Sequence, residues 1–269
     1  MKKIIVFLLL LLNSAQSGAQ QSLSFAIVPQ QSASKLAKLW GPVIKELSQK
    51  SGIALHFATA PDIPTFEKRL AAGEYDIAYM NPHHYIVFNR LAGYQALTKA
   101  RDKQIKGILV VAKNSKINSL NDLQNSTLAF PAPGAFAATI LTQSDLTEKQ
   151  IRFAPKYVSS HDSVYRSVAR GIYPAGGGIV RTFNNVAPEI RSQLSILWTT
   201  KGYTPHAIAT HPRVTADTAH KLQQALVAME QQLTGKALLS SINIKGFASA
   251  VDSDWDDIRA LKIKQHTDN

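Results

Sequence analysis

Two periods of apolar residues take turns along this chain. Leu23 to Val28 (LSFAIV) is a short, nearly continuous apolar run that stops at Pro29, the signature of a buried strand. From Ser32 to Lys50 the spacing changes: Leu36, Leu39, Trp40, Val43, Ile44 and Leu47 fall on one face of a helix, and Gly52 supplies its stop. The exchange then repeats. Ile53–Thr59, Asp76–Met80, Tyr94–Ala100 and Gly107–Lys113 read as strands, with helices over Phe66–Ala72 and from His83 to about Leu91. Farther on, Thr127–Phe130, Arg152–Val158, Leu194–Thr200 and His206–Thr210 read as strands. Ser119–Leu123 reads as a capped turn, Ala135–Gln143 as a small-residue helix, and His161–Arg170 as a helix stopped by Gly171. Gly176-Gly177-Gly178 reads as a flexible run before Ile179 and Val180, and long helices over Thr215–Leu233 and Asp254–Lys264 close the chain.

Alternation of this kind predicts an α/β protein with mainly parallel sheets. It fits two α/β lobes with two crossings, near residues 101–107 and 199–206. The boundaries then fall at 20–103 for the first part of lobe 1, 104–202 for lobe 2, and 203–269 for the return to lobe 1. No repeat, low-complexity tract or long linker divides the chain further.

The first nineteen residues change the picture. Lys2 and Lys3 precede an unbroken apolar run from Ile4 to Leu12, and Ser17 and Ala19 sit at the spacing a signal peptidase accepts. Nine apolar residues cannot span a hydrocarbon core that needs about 20. The segment therefore predicts export with cleavage after Ala19, and a soluble protein in the periplasm. There is no cysteine in the sequence, which removes disulfides, thiolate metal sites and lipid attachment through an N-terminal Cys. The formal charge is +12. Its Lys and Arg are scattered, without the basic runs or aromatic motifs of a nucleic-acid binder, so small anions are the partners the charge best suits, with general solubility an equal reading.

Catalytic patterns are missing as well. There is no G-x-S-x-G elbow, and Ser160-His161-Asp162 is contiguous and cannot form a triad. Met80, His83, His84, His161 and His206 do not have a metal-site spacing, and adjacent helical side chains diverge by about 100 degrees. His83-His84 reads as one buried and one exposed residue. The expectation is a binding protein and not an enzyme, without cofactor or metal, and monomeric.

From Phe25 to about Thr210 the chain resembles the periplasmic phosphate/phosphite/phosphonate-binding proteins, the substrate-binding subunits of phosphonate-type ABC transporters. The landmarks fall in order: FAIV, Ala60-Pro61-Asp62 before a helix, Tyr75-Asp76-Ile77-Ala78 before a turn, Ile117–Leu123 (INSLNDL) leading into Leu128-Ala129-Phe130, Ser160-His161-Asp162 opening a helix, and Leu197-Trp198 before Pro205. The resemblance implies a type II periplasmic binding protein fold, in which two lobes close by a hinge over a ligand. It also implies that an ABC transporter permease receives the ligand, or, in an alternative reading, that a membrane histidine kinase senses the closed form.

At the ligand positions the chain departs from that family, where a strand like TLAF precedes Asp-Pro-x-Ser-Thr-Ser-Gly. Here the segment is Ala132-Pro133-Gly134-Ala135-Phe136-Ala137-Ala138, with no hydroxyl. Ile63 replaces a tyrosine, and Arg181 and His206 stand where aminoalkylphosphonate binders carry acids. The resemblance thus implies a more positive site for a small oxyanion without an amino group. Its candidate residues are Met80, Asn81, Tyr85, Gly134, Ala135, Phe136, Ala137, His161, Asp162, Arg181 and His206. Each has a plainer reading. His161 and Asp162 could serve only to begin a helix, Tyr85 and Phe136 could be core, and Arg181 could form a surface salt bridge.

Overall fold

A computed structural model describes residues 22–261 and 263. The apolar segment read as an export signal, and the end of the helix expected to reach Lys264, lie outside the described residues. The chain opens with β1 (Leu23–Ile27), α1 (Ala33–Ser51), β2 (Leu55–Ala58), α2 (Ile63–Ala71), β3 (Ile77–Met80), α3 (Pro82–Ala92) and β4 (Gln95–Ala100). The apolar stripe of α1 buries Leu36, Trp40, Val43, Ile44 and Leu47, and Gly52 ends the helix with φ 70°. Asp62 accepts from the Thr65 amide at 2.8 Å and starts α2 three residues earlier than the apolar spacing alone implies.

The middle of the chain supplies β5 (Gly107–Ala112), β6 (Ser126–Phe130), α4 (Thr142–Glu148), β7 (Phe153–Tyr157), α5 (His161–Ala169), β8 (Ala175–Ile179), α6 (Val180–Asn185), α7 (Pro188–Arg191) and β9 (Leu194–Thr199). The last part contains β10 (Ala207–Thr210), α8 (Ala216–Ala228), α9 (Leu233–Ser241), β11 (Phe247–Ser249) and α10 (Asp256–Arg259). Two sheets result, ordered β11-β4-β10-β3-β1-β2 and β7-β6-β8-β5-β9. Each sheet carries its own helices, the two-lobed α/β architecture that the resemblance implies. The chain passes from the first sheet to the second between Ala100 and Gly107, and returns between Thr199 and Ala207. These two segments pair with each other through Ile105 and Tyr203.

Several sequence expectations need correction. The sheets are mixed and not mainly parallel: β1–β2, β1–β3, β6–β7 and β6–β8 are parallel, whereas β5, β10 and β11 pair antiparallel with their neighbours. The antiparallel strands are those next to the crossings, plus β11 at the edge. The single helix expected over Thr215–Leu233 breaks after Ala228 into a 3₁₀ turn, Met229–Gln231, and then α9. The C-terminal helix is a 3₁₀ turn, Asp252–Trp255, followed by the single turn of α10. The small-residue helix begins as a π-helical turn, Phe136–Leu141, and continues into α4.

The glycine run is the largest correction. Gly176, Gly177 and Gly178 form the buried strand β8, packed on both faces. A Cβ on Gly176 would sit 2.4 Å from Val164 Cγ1, and one on Gly178 would sit 2.2 Å from the Tyr165 hydroxyl, so α5 lies directly on one face. On the other face, a Cβ on Gly177 would sit 1.9 Å from the Ala138 carbonyl oxygen. Gly107 of β5 makes the same allowance for the Ala137 carbonyl, at 2.1 Å. Glycine here provides close approach between backbones, not flexibility.

Candidate functional site

Gln30 and Gln31 follow the end of β1, Tyr79 lies near the end of β3, and His206 precedes β10, so the first sheet presents all four at one rim. The second sheet faces them with His161 and Asp162 at the start of α5, and with Arg181 and Thr182 at the start of α6. Binding groups gather at strand ends in open α/β sheets because the loops there leave a crevice. All eight are buried, Arg181 with 8% of its surface exposed.

Direct contacts join the two rims. The Arg181 guanidinium donates to the Gln30 side-chain oxygen, and the other end of that amide lies 3.2 Å from His206 Nε2. Arginine can only donate, so it fixes the amide orientation, and His206 Nε2 must then accept. The His206 ring stacks on Tyr79 at 4.8 Å, with the Arg181 guanidinium 5.5 Å from the same ring. The Gln30 carbonyl accepts from the His161 amide at 3.0 Å. Gln31 donates to Asp162 at 3.0 Å, and Lys35 pairs with Asp162 at 3.6 Å. Asn81 accepts from the His84 amide at 2.8 Å, capping α3, and donates across to the Gly134 carbonyl at 2.9 Å.

Arg181 is the unusual member. Among the described residues it forms no ion pair, although burying an unpaired charge is costly. His161 has a related feature. Its Nδ1 lies 3.0 Å from Thr182 Oγ1, which is 2.7 Å from the Tyr165 hydroxyl, which in turn accepts from the Ile179 amide. One arrangement of protons runs straight through this relay: Tyr165 donates to Thr182 and Thr182 donates to His161. It leaves the proton of the neutral imidazole on Nε2, which is buried and has no hydrogen-bond partner among the described residues. A donor held in that way, beside an unpaired guanidinium, suits an oxyanion.

Burial, and then repulsion from Arg181, pushes the His161 pKa down to about 3. Burial pushes His206 down too, reinforced by Arg181, His84 and His161. In the unfolded chain both histidines take up protons near pH 6.5, so folding binds fewer protons below that value. The stability they support is complete above about pH 6.5 and is lost as the pH falls below it, for His161 towards about 3. His161 alone should lower unfolding free energy by about 2 kcal/mol between pH 7 and pH 5. Urea titrations at those two pH values measure this, and equal midpoints would contradict buried neutral histidines.

The other sequence candidates divide into groups. Ala135, Phe136 and Ala137 are buried, and Phe136 meets Tyr203 edge-on at 6.1 Å. The Ala135 amide is already bonded to the Ala132 carbonyl. Met80 is fully buried and ends β3, paired with Ala207. Tyr85 is not brought to the cluster: its hydroxyl donates to Asp252 and its ring packs on Trp255. His83 and His84 are both buried, contrary to the expectation of one exposed, and His84 lies 2.9 Å from Glu67. Arg181 is buried and forms no surface salt bridge among the described residues. Gln30, Gln31, Tyr79 and Thr182 were missed by sequence reasoning. Gln30 and Gln31 lie just beyond the end of β1, the one signal that could have found them, whereas Tyr79 and Thr182 sit within β3 and α6.

A cavity of about 200 Å³ opens beside the cluster, with Tyr79, Arg181 and His206 in its wall. Among the described residues there is no group of three His, Asp or Glu side chains able to hold a metal ion, and no helix is long and apolar enough to cross a membrane.

The family described as "ABC transporter, phosphonate, periplasmic substrate-binding protein" matches residues 25–255. The chain is 24% identical to the phosphate-import protein PhnD of Mycolicibacterium smegmatis over 183 residues, 61% of this chain and 57% of that protein. It therefore spans little more than half the length of that relative. It is 22% identical to the phosphonates-binding periplasmic protein of Escherichia coli (strain K12), with 94% of this chain and 80% of that protein covered. Its fold matches the solved structure of PhnD1 from Prochlorococcus marinus (MIT 9301) in complex with methylphosphonate. The TM-score is 0.81 at 19% identity, over 89% of this chain and 96% of that one.

Proposed function

Because this chain belongs to the periplasmic substrate-binding proteins of phosphonate-type ABC transporters, we propose that it captures a small phosphonate- or phosphite-like oxyanion and delivers it to a membrane permease. The observation that carries the reading is Arg181, buried without an ion pair where the two sheets face each other. In this reading Arg181 and His161 Nε2 donate to the oxyanion, and Arg181 replaces the hydroxyls missing from the segment 135–138. Tyr79 and His206 form the adjoining wall. The proposed lobes are 20–103 with 203–269, and 104–202, in a protein exported by its N-terminal segment and working as a monomer.

A ligand that touches both lobes binds the closed form best and shifts the population towards it. A permease that recognises the closed form then receives loaded protein. The role is binding and release without chemical change, the role of the family.

The test is a thermal-shift screen of methylphosphonate, phosphite, phosphate, sulfate and 2-aminoethylphosphonate, followed by calorimetry on the hits. A ligand at 100 times its Kd stabilises by about 2.7 kcal/mol, which is readily seen. Methylphosphonate or phosphite should give the largest shift. A largest shift from 2-aminoethylphosphonate would overturn the reading of Arg181, and no shift with any oxyanion would overturn the function.

A further inference from the structure

The cavity at Arg181 does not end there. Its buried end is formed by Tyr79, Arg181 and His206, and its neck by the apolar Ile105, Val180 and Ile244. A second hollow, about 340 Å³, continues outward, sharing Lys103, Val180, Arg181 and Ile244 with the first and adding Lys245. The joined space extends well past the reach of one tetrahedral group held by Arg181.

Its lining is mostly basic, with Asp102 as its one acid. Arg101 at the rim is paired with Asp102 at 3.6 Å and with Glu230. Lys103, Arg181 and Lys245 form no ion pair among the described residues. Lys103 is exposed as a residue, yet its ammonium group donates to the Asn243 carbonyl. Burial of that end, with repulsion from Arg181 and Lys245, brings its pKa down to about 8. Three cations that raise one another's energy, spread along an apolar passage, call for negative charge at both ends of a ligand. They also repel an ammonium group.

We propose that the passage takes the second anionic group of a two-ended ligand, an oxyanion such as a phosphonate joined by a short carbon chain to a carboxylate. The phosphonate sits at Arg181, the carbon chain against Val180 and Ile244, and the carboxylate between Lys103 and Lys245. This rests on the oxyanion site described above and adds the substrate class.

Calorimetry with methylphosphonate, 3-phosphonopropionate and 2-aminoethylphosphonate tests it on the wild type and on the variant carrying both Lys103→Met and Lys245→Met. In the wild type, 3-phosphonopropionate should bind on the order of tenfold tighter than methylphosphonate, the gain expected from one added charge-assisted contact. In the variant the advantage should vanish while methylphosphonate binds as before, which also shows that the variant is folded. Equal affinities in the wild type, or an advantage that survives in the variant, would overturn the two-ended ligand and leave the oxyanion site standing. Failure of methylphosphonate and 3-phosphonopropionate alike to bind the wild type would overturn both.

Discussion

Replacing Arg181 with methionine is expected to weaken methylphosphonate binding by on the order of a hundredfold or more, without lowering the stability of the ligand-free protein. Two arguments combine here. The guanidinium is buried and its one hydrogen-bond partner among the described residues is the neutral Gln30 amide, so its desolvation is poorly offset before ligand arrives. Methionine of similar length removes that unfavourable term, so the ligand-free variant should unfold at the same urea concentration as wild type or a higher one. With an anion present the balance reverses, because a charge-assisted contact in a buried site is lost outright. Arg181→Lys should fall between the two, retaining charge but losing the planar fork. The methionine variant should also relieve His161, since the charge of Arg181 is the second cause of its depressed pKa. The histidine's acid-sensitive window would then narrow from its lower end. Calorimetry and urea unfolding together decide the matter. Methylphosphonate binding within threefold of wild type would sink the assignment of Arg181 as the anion receptor.

The second large effect concerns folding. Gly177→Val should destabilise the protein by at least about 3 kcal/mol, at or above the upper range for overpacking a core. A first carbon alone would meet the Ala138 carbonyl at 1.9 Å and the Phe130 ring at 2.7 Å. Neither neighbour can move freely. Ala138 belongs to the π-helical turn wedged against β5 and β8, and Phe130 is fully buried. The urea midpoint of this variant should fall well below that of wild type. A Gly177→Val protein with a midpoint near wild type would mean that the packing on β8 is looser than described.

What was legible in the sequence follows from what leaves a periodic trace. Helix α1 and strands β1 and β3 were readable because one apolar face, or a fully apolar run, marks burial directly. Strand β8 was not, because three glycines carry no side chain from which a period can be read. Their role is written in Val164, Tyr165, Phe130 and Ala138, residues distant in sequence that press against them. The break after α8 was hidden for the opposite reason. Leu233 continued the apolar spacing of the preceding helix, yet it is 89% exposed and belongs to the next one.

The candidate site was legible where residues matched an ordered set of landmarks, as with His161, or stood out by charge at a family position, as with Arg181. Gln30 and Gln31 had no such mark. A glutamine after a strand resembles any surface residue until the opposing lobe is placed against it. Tyr85 shows the converse error: an aromatic in a promising segment faces Asp252 and Trp255 because α3 turns that position away from the rim.

The bonds that join the two rims bear on how quickly a ligand can be caught. Gln30 to His161, Gln31 to Asp162 and Asn81 to Gly134 are contacts between protein groups, and no ligand atom takes part in them. Each contributes on the order of 1 kcal/mol to the joined arrangement. A molecule held shut by such a latch must part before an anion can enter. Its capture rate therefore rises with ligand concentration only until the rate of parting becomes limiting, and then levels off. The same latch lowers apparent affinity by the fraction of time the entrance is closed, and slows escape once the anion is inside. Arg181 and His161 would decide which anion stays, while these three bonds set the pace at which any anion is sampled.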